Sequence, residues 1–455
     1  MLHMTSRFEK IREDILTQDP LKLMIKLSLP LVVLNFVHLI YNLTDTFWLG
    51  RLGRTAVSSP TLSWPVFGTI MSLGMGFGVA GFAFISQYQG SGDFKKAQKA
   101  MGNLFTLFLI FSIIAGITGF ILTPSILKAM RIPPDTFNNT VIYLRIMFAS
   151  IPFSFLGFAF SFALRALGDT RTPTAINVFG MLLNVILDPL LIYGLWIFPK
   201  MGVMGAALAT AFSNFLASIL ALRLFLTGKL GIKIHLSDLK PDLKLSMSII
   251  TKGLPASIGQ SLNSLGFVFL VSIISKFGSV AVAAYSIGDR VIQLIFTISD
   301  AINQALGSIL GQNLGMKNFS RVKESIKKAV LLNAAVISFF AIFIYLARTE
   351  LISAFIKDPQ VILEGKNYIE KFIVAMPFFG IFGVYSSLAM VSGRTAEGMI
   401  LGLVRLWVLR IPMAYYFGKL FDTSGVWIGM NISNIVACLI AYLWYLRGTW
   451  KKTLI

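Results

Sequence analysis

Apolar residues run along this chain in blocks of roughly twenty, the length that lets a helix cross a bilayer core about 30 Å thick. Twelve such blocks fall near residues 23–49, 56–85, 99–124, 137–164, 172–196, 203–227, 248–276, 280–310, 325–347, 361–390, 396–418 and 424–446. In a few of them polar side chains return at three- and four-residue steps, the period of a helix face. Asn35, His38, Tyr41, Asn42 and Asp45 form one such stripe in the first block. Asn184 and Asp188, one turn apart, share a face of the fifth, and Thr210, Ser213 and Asn214 mark the sixth. A stripe of this kind in hydrocarbon has to face the bundle interior or water. The pattern predicts an all-α polytopic membrane protein of twelve transmembrane helices.

The blocks repeat. Displacing the chain by 225 positions lays Pro30 on Pro255, Gly53 on Gly278, Gln87 on Gln312, Gly90 on Gly315, Tyr143 on Tyr368, Pro152 on Pro377 and Gly168 on Gly393. After a slip of two residues the register resumes with Pro189 on Pro412 and Gly202 on Gly425. The chain is therefore a doubled six-span unit. Its expected domains are an N-lobe over 1–227, a cytoplasmic linker over 228–247 and a C-lobe over 248–455. An even number of spans per copy brings both copies in from the same side, which places the pseudo-twofold axis along the membrane normal. Asp45 breaks the symmetry, since its mate is Leu270. The copies share architecture without sharing chemistry.

Composition agrees and excludes other classes. The chain is 56% hydrophobic and 13% charged, far from a soluble globular protein. Its formal net charge of +20 raises the question of a nucleic-acid partner, but the location of the charge answers it. Loops on one side of the spans hold 25 Lys and Arg, and those on the other hold nine: Arg51, Arg54, Lys128, Arg131, Lys200, Lys276, Arg348, Lys357 and Lys419. The positive-inside bias places both termini in the cytoplasm of a plasma-membrane protein and leaves no need for nucleic acid. The single cysteine, Cys438, excludes an internal disulfide and a cysteine-based metal site. No removable signal peptide is expected ahead of the first span.

Two local features stand out near the start. Asp19-Pro20 pairs an N-cap residue with proline at the first helical position, so a helix is expected to begin there. Pro30 then removes one backbone hydrogen bond inside the span and crowds the carbonyl of Lys26, which predicts a bend and a conformational hinge. Candidate chemistry follows from the two carboxylates. Each costs about 2.5–3.5 kcal/mol to place at the centre of a membrane helix. If the first and fifth spans are neighbours, Asp45 and Asp188 share a proton or hold a Na⁺, with Asn184, Tyr41 and Thr210 supplying neutral oxygens. The competing reading is a permanently protonated pair that only ties helices together. Secondary candidates are Tyr143, His38 as a proton relay weighed against simple packing, and Gln260 and Asn263 on the seventh span. Arg405 and Arg410 on the eleventh span snorkel or neutralise Asp289 or Asp300. Gly168-Asp169-Thr170 reads as a helix cap or loop anchor.

PLVVLNFVHLIYNLTDTFWLGRLG, QYQGSGDFKKAQKA, LRALGDTRTPT and LNVILDPLLIYG, in that order within a doubled six-helix unit, resemble the MATE family of multidrug and toxic compound extrusion transporters over essentially the whole chain. The pairing of Asp45 with Asn184 and Asp188 is similar to the archaeal and DinF-like branch. The resemblance implies a V-shaped pair of six-helix lobes, a central cavity, and export of organic cations or amphipathic drugs against inward H⁺ or Na⁺. It implies no enzyme, no cofactor beyond the coupling ion, and a monomer in the lipid bilayer. It also exposes a departure. Sodium-coupled NorM-like relatives carry acids on spans 7 and 10, whereas here the span-7 position falls at Asn263 and 379-FGIFGVYSSLAMVSG-393 contains none. The coupling site is therefore expected in the N-lobe. Runner-up readings are a lipid-linked oligosaccharide flippase, which needs cationic groups for pyrophosphate, and, further off, an intramembrane aspartyl protease or a channel.

Overall fold

The computed structural model describes residues 6–231, 235 and 237–455. Residues 1–5 of the lead-in and 232–234 and 236 of the expected linker lie outside the described residues. A short amphipathic helix, α1 (Ser6–Thr17), precedes six long ones: α2 (Pro20–Gly50), α3 (Arg54–Ser91), α4 (Phe94–Ala129), α5 (Pro134–Ala166), α6 (Arg171–Tyr193) and α7 (Val203–Thr227). The second half runs α8 (Leu243–Ser275), α9 (Ser279–Gly315), α10 (Phe319–Leu346), a short α11 (Arg348–Ser353), α12 (Pro359–Phe372), α13 (Met376–Val391), α14 (Thr395–Leu403) and α15 (Ile411–Arg447). Among the described residues there is no strand. A 3-10 turn joins α12 to α13 and a π-helical turn, Val404–Arg410, joins α14 to α15. The continuous helical stretch Thr395–Arg447 breaks at Phe421 and Asp422, where the backbone leaves helical φ/ψ. It thus carries the eleventh and twelfth spans, on either side of the interval expected from sequence. The protein is an all-α, multi-pass membrane protein.

Outward surfaces match that solvent. Ile110, Ile114, Ile117 and Ile121 form an exposed isoleucine stripe on α4, the reverse of a soluble helix, which turns such a stripe inward. The inner face of α4 instead buries Phe105 and Phe108 edge-on against Phe225 and Phe155, with ring centroids 5.4 and 5.3 Å apart.

The internal repeat is visible in the backbone. Gly53 and Gly278, 225 residues apart, precede α3 and α9 with φ of 112° and 94°, a region closed to most L residues. Asp93 and Asn318, again equivalent, cap α4 and α10 by accepting from the backbone N–H of Lys96 and Arg321 at 3.1 and 3.2 Å. The start of α2 follows its sequence signature: Asp19 accepts from the N–H of Leu21 at 2.8 Å and of Lys22 at 3.2 Å, with Pro20 as the first helical residue.

Contacts divide the chain into two units, Met1–Glu13 with Leu29–Leu254 and Asp14–Ser28 with Pro255–Ile455. Membership changes inside α2 beside Pro30 and inside α8 at the equivalent Pro255. The described part of the 228–247 interval packs within the first unit, on α4. Gln98 donates to Asp238 at 2.7 Å, Thr106 to the carbonyl of Leu239 at 2.7 Å, and Lys99 pairs with Asp242 at 2.5 Å. The first unit is built on the packing of α5 against α3, α4 and α7, and of α6 against α7. In the second, α9, α10, α12, α13 and α15 enclose an aromatic core of Tyr285, Tyr368, Phe372 and Trp427.

Candidate functional site

The first unit encloses a cavity of about 600 Å³ between α2, α3, α5, α6 and α7. Its walls are largely apolar, with Trp64, Phe67, Met71, Met147, Phe153, Phe158 and Met181. Methionine and aromatic side chains of this kind reshape around varied apolar bodies. Polar groups enter from all five helices, Ser63 from α3 and Tyr143, Ser154 and Ser161 from α5 among them. His38, Tyr41, Asn42 and Asp45 line it from α2, Asn177 and Asn184 from α6, and Thr210, Ser213 and Asn214 from α7. The three- and four-residue spacing seen in the sequence does place each set on one face.

Asp188 lies one turn beyond Asn184, fully buried behind the cavity wall. The amide of Asn184, oriented to satisfy both of its neighbours, donates from its nitrogen to Asp188 Oδ2 at 3.0 Å. Its oxygen accepts from the Thr210 hydroxyl at 3.1 Å. The Tyr41 side chain lies beside that of Thr210. Asp188 Oδ1 is buried without a partner. The charge of Asp45 acts on Asp188, and Tyr41 and Tyr143 both lie in the field of the two acids. Asp45, Asp188, Asn184, Tyr41, Thr210 and Tyr143 thus form one cluster. Neither acid takes part in an ion pair among the described residues.

Packing explains how the cluster is held. At Gly205 a Cβ would sit 2.6 Å from the carbonyl carbon and oxygen of Leu191, so only glycine lets α7 approach α6 closely enough for Thr210 to meet Asn184. At the C-terminal end of α2 the Tyr193 hydroxyl donates to the carbonyl of Trp48 at 2.7 Å, three residues past Asp45. Pro189, directly after Asp188, leaves the carbonyl of Val185 without its helical donor, which adds polarity to the same region.

The remaining candidates lie elsewhere or play smaller parts. His38 is exposed on the cavity side of α2 and reaches no acid; its ring stands 6.0 Å from that of Tyr41. Gln260 and Asn263 sit on α8 in the second unit, where Asn263 Oδ1 is buried with no partner among the described residues. Pro30 lies inside the uninterrupted helix α2 where unit membership changes. Among the described residues no group of three or more His, Cys, Asp or Glu gathers as a metal centre.

Two features were not legible in the sequence. The cavity walls come from α3 and α5, whose Trp, Met and Phe residues look like any membrane-helix residues when read along the chain. The glutamine-glycine stretch ending α3 proves to be a dock for α1: Gln89 donates to the carbonyl of Phe8 at 3.3 Å, and Arg12 to that of Gly90 at 2.8 Å. Arg7 pairs with the buried Asp169 at 2.7 Å, and Asp169 also accepts from the N–H of Arg171 and Thr172, so it caps α6 and anchors α1 together.

Comparison with known proteins agrees with this architecture. The MatE family model matches residues 30–190 and again 255–416, two copies that begin at the equivalent prolines. The chain is 27% identical over 431 residues to the probable multidrug resistance protein YoeA of Bacillus subtilis, covering 93% of this chain and 92% of that one. It is 29% identical over 439 residues to the probable multidrug resistance protein NorM of Thermotoga maritima, covering 95% and 93%. A crystal structure of MATE in complex with MaL6 superposes with a TM-score of 0.90 at 26% identity, over 97% of this chain and 99% of that one. With the family model covering most of both halves, the chain belongs to the MatE family, a family of multi-pass membrane transporters and not of enzymes.

Proposed function

We propose that this chain is a secondary active exporter of organic cations or amphipathic drugs, driven by inward H⁺ or Na⁺ through alternating access, with the coupling site in the first unit. The observation that carries the reading is a pair of acids, Asp45 and Asp188, in no ion pair among the described residues, beside a cavity walled by methionine and aromatic side chains. Unpaired carboxylates in a low-dielectric site are held as charges only at a cost of several kcal/mol, so they take up a proton or a small cation. The acid on the cavity wall attracts a cationic drug; loading the ion removes that attraction. Each ligand shifts the balance of conformations by its differential affinity alone. Pro30, at the point in α2 where unit membership changes, is the hinge in this scheme. The names of the relatives, multidrug resistance and multidrug export proteins, support the substrate class.

The cluster suits either ion: a carboxylate of Asp45 or Asp188 takes up a proton, and the same carboxylates with the hydroxyls of Tyr41 and Thr210 are the hard oxygen ligands a Na⁺ requires. A membrane-spanning monomer with both termini in the cytoplasm completes the proposal. The flippase reading requires cationic groups to hold a pyrophosphate, and this cavity is lined by an acid and neutral polar groups.

The test is efflux of a fluorescent organic cation from proteoliposomes holding the purified protein, with ΔpH and ΔNa⁺ imposed separately. Concentrative transport under ΔpH alone identifies the proton as the coupling ion, and under ΔNa⁺ alone identifies sodium. Transport under neither gradient, together with flipping of a lipid-linked precursor in the same vesicles, overturns the proposal.

A further inference from the structure

The second unit holds a charge that its own side chains do not balance. Arg405 and Arg410 stand at the two ends of the π-helical turn Val404–Arg410, and both are buried. In an α-helix residues five apart point about 140° away from each other. A turn closed by i→i+5 bonds brings them toward one side, and such turns recur at functional sites. The two arginines then diverge in what they meet. Arg410 is matched: it donates to Asn434 Oδ1 at 2.5 Å and to the Ser433 hydroxyl at 3.3 Å, and it lies in the field of Asp289. Arg405 is not. It retains 8% of its exposure, its Nε is buried without a hydrogen-bond partner, and the charged group that acts on it is Arg410, of the same sign.

Phe379 and Phe382 lie against its guanidinium, with centroids 5.0 and 5.3 Å from Cζ. Rings attract the cation through their faces but accept little from the N–H groups at its edge. A water molecule would satisfy an N–H and leave the charge unbalanced, whereas an anionic oxygen answers both. Beside Arg410, the amide nitrogen of Asn434 is a second buried donor with no acceptor among the described residues. On the same helical stretch Ile400 and Val408 are exposed apolar residues, a surface on which an apolar chain can lie.

We infer that the second unit contains a binding site for an anionic amphiphile, a phosphate or carboxylate carried on an apolar chain, with Arg405 as its charge partner. The inference does not rest on the cation-exchange reading of the first unit. The site takes an oxyanion edge-on to the guanidinium while the attached chain lies along the apolar surface of the same helix.

Purified full-length protein in an uncharged maltoside detergent is titrated with dodecyl phosphate, with dodecyltrimethylammonium and with inorganic phosphate, reading affinity by fluorescence and stability by thermal shift. Dodecyl phosphate is expected to bind and raise the Tm, and the other two are not. Arg405→Met is expected to weaken dodecyl phosphate binding about tenfold or more and, by removing an unbalanced buried charge, to hold or raise the Tm without ligand. Arg405→Gln, which keeps polarity, is expected to lose the binding in the same way. An Arg405→Met protein that binds dodecyl phosphate as wild type does, or inorganic phosphate binding as tightly as the amphiphile, overturns the inference. So does a fall in Tm for both variants with binding retained.

Discussion

Replacing Asp188 by asparagine separates the coupling role of this carboxylate from its structural one. The side chain is fully buried, and the contact that fixes it is the Asn184 amide donating to Oδ2 at 3.0 Å. In Asp188→Asn the new amide oxygen keeps that bond, and the new nitrogen takes the place of Oδ1, which has no partner to lose. The folding cost is therefore one poorly satisfied donor, about 1 kcal/mol. The cost to transport is larger. One H⁺ exchanged for one monovalent organic cation moves no net charge, so with the membrane potential held at zero the pH difference drives the exchange, at about 1.4 kcal/mol per pH unit. Each unit sustains a drug gradient of roughly tenfold. Without a titratable group at 188 the gradient is expected to collapse toward unity. Proteoliposomes with matched amounts of wild type and variant, a membrane potential clamped at zero by ionophores under a fixed ΔpH, and steady-state distribution of a fluorescent cation provide the assay. A variant that folds normally and still sustains the wild-type gradient would refute the assignment of Asp188.

Other consequences can be checked separately. Thr210→Val removes the hydroxyl that donates to Asn184 while keeping the shape; the same efflux assay is expected to show a reduced coupling ratio, with folding changed by about 1 kcal/mol. Gly205→Ala drives a methyl to within 2.6 Å of the α6 backbone and is expected to cost about 1–3 kcal/mol and to impair transport with it, whereas Gly157→Ala, with no atom within 4 Å of the added carbon, should leave the Tm unchanged or slightly raised. Asp169→Ala removes a buried acceptor used by Arg7 and by the first N–H groups of α6; a loss of about 2–3 kcal/mol and faster proteolytic trimming of α1 are the expected readings.

Much of this protein is written locally. Span positions follow from hydrophobic length, the start of α2 from Asp19-Pro20, and the doubling from glycines and prolines 225 positions apart, because each of these depends on residues close in sequence or on a repeat that can be compared with itself. The two acids were legible for a similar reason, since the expense of a carboxylate in hydrocarbon is a property of the residue and its span. What those acids touch was decided by tertiary structure. That Asn184 turns its nitrogen to Asp188 and its oxygen to Thr210 depends on how closely Gly205 lets two helices approach. The docking of α1 on Gln89, Gly90 and Asp169, and of residues 238–242 on α4, joins segments more than seventy positions apart. The π-helical turn that carries Arg405 and Arg410 has no residue signature, because its extra residue per turn is set by packing against neighbouring helices. Periodicity along a chain encodes which face of a helix is polar; the rotation and approach of helices, on which every polar contact between them depends, belong to the whole fold.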